Sequence, residues 1–136
     1  MILTFILSLF VLQLTSKEIL HVNTQKSTIA WEGGSATTTH NGLIGLKSGT
    51  LKISDGKLTG GNFEVDMTSI TNLDVSEAYR GKLENHLKSE DFFDANAFPS
   101  AHLIIIRTIA ERENLYRIVA DLTIRNIKKT IEFDAT

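Results

Sequence analysis

The chain has 136 residues, 42% hydrophobic and 22% charged, with 14 basic and 16 acidic side chains and a formal net charge of -2. That length supports one domain around one core, and a near balance of charge spread along the chain excludes the basic stripe that nucleic-acid binding requires. With no cysteine, disulfides, thiol catalysis, thiolate metal sites and a lipidated-cysteine anchor are excluded as well.

From Ile2 to Leu14 the chain is apolar except for Thr4, Ser8 and Gln13, and the small polar residues Thr15 and Ser16 follow. This reads as the core of a signal peptide, although no Lys or Arg precedes it and no small-x-small cleavage site follows. A membrane span needs about 20 apolar residues, and the run breaks at Lys17 and Glu18. The expectation is a leader over 1–16, cleaved between Thr15 and Leu20, and a periplasmic or secreted domain over 17–136.

Beyond the leader the apolar pattern has period two, as half-buried strands require. Ile29 and Trp31 share one face of a first strand, Ile44 and Leu46 one face of a second. Leu51 and Ile53 lead into Asp55-Gly56, a dipeptide suited to the positive φ angles of a two-residue hairpin, with Leu58 beyond it. Phe63, Val65 and Met67 then alternate with Glu64, Asp66 and Thr68 in a strand introduced by Gly60-Gly61.

Between Leu73 and Ala97 the period changes. Tyr79, Leu83 and Leu87 fall at i, i+4 and i+8 on one helical face. Asp74 with Glu77 is placed to cap its start, and Ser89 to cap a second short turn whose apolar contact is Phe92-Phe93. Pro99, the only proline, marks a strand entry, because it lacks the N–H that a ladder interior needs.

Strands return over Ala101 to Thr108, Leu115 to Ile124 and Lys129 to Ala135, with turns near Glu113-Asn114 and Asn126. Leu103 and Ile105 share a face of the first; Tyr116, Ile118, Ala120, Leu122 and Ile124 alternate along the second; Ile131 and Phe133 continue the pattern. Short antiparallel strands with one apolar face and one helical excursion point to an all-β, closed or nearly closed barrel. About eight strands enclose enough room for side chains or one slender ligand.

The residues carry no recognisable catalytic set. His21, His40, His86 and His102 show neither H-x-x-x-H nor H-E-x-x-H spacing, so a metal site is not expected. Gly42 to Ser48 has the wrong glycine spacing for a phosphate loop, and no serine sits in a G-x-S-x-G elbow. Glu64, Asp66, Asp121, Glu132 and Asp134 fall opposite the apolar face and read as outward partners of Lys and Arg.

The order of several short stretches is more specific than any of them alone. These are Ser27-Thr28-Ile29-Ala30-Trp31, His40-Asn41-Gly42 with Lys47-Ser48-Gly49, Asp55-Gly56-Lys57-Leu58 and Met67-Thr68-Ser69-Ile70. His86-Leu87-Lys88-Ser89-Glu90-Asp91-Phe92-Phe93-Asp94 follows, then Phe98-Pro99-Ser100-Ala101, Tyr116, Leu122-Thr123-Ile124-Arg125 and Ile131-Glu132-Phe133. In that order, from Leu20 to Thr136, they resemble the YceI-like family of polyisoprenoid-binding, lipocalin-like periplasmic barrels. Asn126 departs from the family glycine after Leu-Thr-Ile-Arg, but asparagine tolerates the left-handed region. The family continues beyond the position of Thr136 through two further strands, which leaves room for an incomplete barrel here and for an unpaired last strand.

The resemblance implies a non-enzymatic carrier with a polyisoprenoid, quinone or similar lipid in its bore and no other cofactor. The inward set expected to line that bore is Ile29, Trp31, Ile44, Leu46, Phe63, Val65, Met67, Leu103, Ile105, Tyr116, Ile118, Leu122, Ile124, Ile131 and Phe133. His40, Asn41, His86 and Ser89 are candidates for a head-group rim. Transient contact with a membrane and a homodimer are further expectations. The alternative is an exported interaction or stress-response module whose barrel core is filled by its own side chains.

Overall fold

The computed structural model describes residues 15–136. The expected leader therefore lies outside the described residues, apart from Thr15 and Ser16. In chain order the elements are β1 (Lys17–His21), β2 (Ile29–Gly34), β3 (Thr39–Ser54), β4 (Lys57–Asn72), α1 (Glu77–Lys88), β5 (Ser100–Arg112), β6 (Leu115–Ile124) and β7 (Ile127–Ala135).

Every pairing is antiparallel, and the sheet runs β1-β3-β4-β5-β6-β7, with β2 also on β3. β1 and β2 divide the length of β3 between them: Leu20 faces Leu51, whereas Ile29 faces Ile44. β1 was not expected from the sequence, where Lys17 and Glu18 read as the break that ends the apolar run. The sheet is open, the incomplete form of the expected barrel: among the described residues β7 pairs only with β6, and β1 and β2 only with β3. With β1 and β2 sharing one position, the sheet is narrower than the roughly eight strands that close a small barrel.

The turns follow from their residues. Asp55 and Gly56 adopt φ 50° and 74° between β3 and β4, and Arg125 and Asn126 adopt φ 50° and 58° between β6 and β7. Positive φ at both central positions matches the right-handed twist of the flanking strands. β3 and β4 are longer than expected because Gly60 and Gly61 lie within the ladder rather than before it. A Cβ on Gly61 would sit 2.5 Å from the Thr50 carbonyl oxygen, so glycine is what lets the two strands approach there.

The helix arises where the apolar period changes, but its ends differ from expectation. Ser76, not Asp74, precedes Glu77, and no side chain caps the first turn. Ser89 ends α1, and its hydroxyl donates back to the His86 carbonyl at 2.8 Å instead of capping the turn that follows. That turn forms through the backbone, with Phe92 N–H and Asp94 N–H donating to the Ser89 carbonyl. Along the expected face Leu87 is buried, Leu83 half-buried and Tyr79 66% exposed. The apolar stripe of α1 therefore runs from the interior out to the surface.

Met67, Ala95 and Ala101 form a buried core cluster with Ile44, Val65, Phe93 and Ile124 packed around it. On the outer face Lys47 pairs with Glu64 at 2.9 Å and Lys128 with Asp121 at 3.2 Å, while Arg117 approaches Asp134 at 3.8 Å. The Ser100 hydroxyl and Lys47 hold the Glu64 carboxyl below its usual range, and Thr130 with Lys128 does the same for Asp121. Asp66 instead accepts from the backbone and hydroxyl of Thr68.

Candidate functional site

Strand register carries the expected inward set to one face of the sheet. Leu46 faces Val65, Phe63 faces Leu103, Leu103 faces Leu122, and Ile118 faces Phe133. Along the strands, however, that face divides into two regions of different character.

Toward the β3–β4 hairpin the face is filled by its own side chains. The Phe63 ring lies over Gly49, where a Cβ would come within 2.9 Å of it, and Leu51 and Ile105 meet above Gly61. Ile118 and Ala120 are 1% and 0% exposed. Leu46, Phe63, Leu103, Ile105, Tyr116, Ile118, Ile131 and Phe133, and Ile29 at the start of β2, line neither the cavity nor the groove found at the other end of this face. Ile131 and Phe133 lie on β7 beside the open edge, with Phe133 partly exposed.

Toward α1 the face opens into a cavity of about 560 Å³. Ile44, Val65, Met67, Ala101, Leu122 and Ile124 form its floor on the sheet; Leu83, His86 and Leu87 of α1 and then Phe92 and Phe93 form its roof. Trp31 closes one side together with Glu32 to Ser35 at the end of β2. A narrower groove of about 310 Å³, lined by His40, Val75, Tyr79, Lys82, Leu83 and His86, continues the cavity outward along α1.

Of the residues proposed for the bore, Trp31, Ile44, Val65, Met67, Leu122 and Ile124 line this cavity. Of the proposed rim, His40 and His86 line both cavity and groove, whereas Asn41 and Ser89 line neither. Asn41 contributes through its backbone, donating to Asp74 and accepting from Asn72 and Leu73. Ile70, Leu83, Leu87, Phe93 and Ala101 are lining residues absent from the expected set. Leu83 and Leu87 were visible as the apolar face of a helix and Phe93 as its contact, and the sequence does not reveal that this face roofs a void.

Polar organisation is concentrated at the mouth. Nδ1 of His40 lies 2.9 Å from Oδ2 of Asp74, whose Oδ1 accepts the Asn41 N–H at 3.0 Å and the Asn72 side-chain amide at 2.6 Å. These donors, the Asn41 N–H foremost, hold the Asp74 carboxyl down to about 2. Asn72 is buried and fully engaged: its N–H donates to Glu84 and its side-chain oxygen accepts the Val75 N–H. His86 meets Phe92 edge-on at 5.5 Å, which fixes the roof beside the mouth. No group of three His, Asp or Glu able to hold a metal ion occurs among the described residues.

A sheet of this topology with a helix over one end of an apolar cavity has a recognisable relative. The YceI-like domain model matches residues 20–136. The chain belongs to the YceI-like domain family. BcnA of Burkholderia cenocepacia, a solved structure, is similar at a TM-score of 0.68 and 19% identity, over 83% of this chain and 69% of that one. The YceI protein of Campylobacter jejuni is similar at a TM-score of 0.50 and 14% identity, over 96% of this chain and 60% of that protein. At these identities the likeness is one of fold. No curated protein matches the chain.

Proposed function

We propose that this YceI-like chain is an exported, non-enzymatic carrier that holds the tail of a polyisoprenoid, an isoprenoid quinone or a similar lipid in the cavity beneath α1. The observation that carries the reading is the cavity itself. Its volume of about 560 Å³ falls within the roughly 300–1,000 Å³ of small-molecule sites, and its floor and roof are almost wholly aliphatic and aromatic. Burying ten apolar carbons at about 0.8 kcal/mol each contributes roughly 8 kcal/mol before ordering costs. With small ordering costs, that corresponds to affinity on the order of micromolar without any polar contact.

The filled region around Ile118 and Ala120 supports the second reading, an exported interaction or stress-response module, for one end of the fold only. A packed core gives no reason for the void under Leu83 and Leu87, since void-lining atoms forfeit contacts. The reading is tested by native mass spectrometry of the purified protein, before and after incubation with prenyl alcohols and prenyl quinones. A one-to-one adduct of prenyl mass supports carriage. A protein that stays empty and takes up none of these overturns it.

A further inference from the structure

The polar part of the cavity lining is small. Glu32, Ser35, His40 and His86 supply its polar side chains, no Lys or Arg lines it, and Lys82 lines only the outer groove. His40 is the group shared by both spaces whose chemistry is set by a neighbour. Asp74 is held ionised by the Asn41 N–H, His40 and Asn72, and an ionised carboxylate only accepts hydrogen bonds. The proton between the two must therefore sit on Nδ1 of His40. A neutral imidazole protonated at Nδ1 leaves Nε2 as a bare acceptor, and no protein donor meets that nitrogen among the described residues.

We propose that His40, locked by Asp74 into the Nδ1–H tautomer, is a specificity-determining residue of the cavity and selects ligands whose head bears a hydroxyl over those bearing only acceptor oxygens. Asp74 is then a positioning residue that acts through His40. The proposal rests on the carrier reading and deepens it by naming the head group as a prenyl alcohol. A hydroxyl donates to Nε2, whereas an ether oxygen leaves two acceptors facing each other. A diphosphate adds negative charge beside the Glu32 carboxylate, with no cation in the cavity lining to answer it.

The test uses the full chain at pH 8 and three probes with one tail: farnesol, farnesyl methyl ether and farnesyl diphosphate, each titrated calorimetrically. Farnesol is expected to bind about ten-fold more tightly than the ether, the scale of one hydrogen bond, and the diphosphate most weakly. In Asp74→Asn, the side-chain oxygen stays with Asn41 and Asn72 and its NH₂ faces Nδ1, so the proton moves to Nε2 and the preference should vanish or invert. Imidazole ¹⁵N shifts read that tautomer change directly, which a merely structural role for Asp74 would not produce. His40→Phe should bind alcohol and ether alike. Equal binding of alcohol and ether by the unaltered protein overturns the proposal and leaves the carrier reading standing. An alcohol preference that survives in both variants overturns the role of His40. No binding of any probe overturns the carrier reading and the proposal with it.

Discussion

The indole N–H of Trp31 donates to the carbonyl oxygen of Thr71 at 3.0 Å, tying β2 across β3 to β4. The indole lies against Gly42 of β3, where a Cβ would stand 2.6 Å from Nε1 and 1.8 Å from the Thr71 oxygen. Gly42→Ala must therefore displace the ring or part the strands, a substitution expected to cost about 1–3 kcal/mol. Trp31 is the only tryptophan, so its emission reports the change. A lower urea midpoint together with a red-shifted spectrum is expected; an unchanged midpoint and spectrum would refute this role for Gly42.

The two regions of the inner face should respond oppositely to added volume. Leu122 borders the cavity, whereas the Phe63 ring already lies against the position of a Gly49 Cβ. Leu122→Trp is expected to fill the void, changing stability by less than about 1.5 kcal/mol while abolishing prenyl uptake. Phe63→Trp should overpack its site and cost about 1–3 kcal/mol. Denaturant unfolding and uptake measured on both variants separate the cases, and equal destabilisation would mean that the cavity is not open to side chains.

Asp74 gives the fold a specific acid sensitivity. Its carboxyl is held down to about 2, first by the Asn41 N–H and then by His40. A carboxylate whose folded value lies below its unfolded one, about 3.9, stabilises the fold fully above that unfolded value and loses its contribution as pH falls through the folded one. Stability should therefore decline between about pH 4 and pH 2, and Asp74→Asn should decline less over that interval. Urea midpoints at pH 6, 3 and 2 measure this; parallel curves for the two proteins would count against it.

Much of the fold is legible because side-chain alternation and register are the same fact. Once Ile44, Val65, Leu103 and Leu122 are read as inward, antiparallel pairing brings them to one face with no further information. Level along the strand is different. Whether an inward residue meets a neighbour or a void depends on what lies opposite, and at Gly49 and Gly61 it is the missing side chains that admit Phe63, Leu51 and Ile105. The polar centre was hidden for a similar reason. Asp74 stands where a helix cap is plausible, and only the approach of β3 to the end of β4 shows that its carboxylate serves His40 and Asn41 instead.

Arg125 links the β6–β7 turn to the roof of the cavity. Its Nη1 donates to the carbonyls of Phe92 at 2.6 Å and Glu90 at 3.1 Å, and its guanidinium lies 5.9 Å from the centre of the Phe98 ring. Arg125 is thereby placed to set how readily the segment after α1 lifts. Arg125→Ala should cost about 1–2 kcal/mol and speed hydrogen exchange at the Phe93 and Ala95 amides, which donate to Leu87 and Lys88. Arg125→Lys should restore only part of this, because an ammonium lacks the planar fork and stacks poorly on an aromatic face. If the segment gates the cavity, prenyl ligands should dissociate faster from both variants, in the order Ala, Lys, unaltered protein. Faster exchange with unchanged dissociation would assign Arg125 to stability alone.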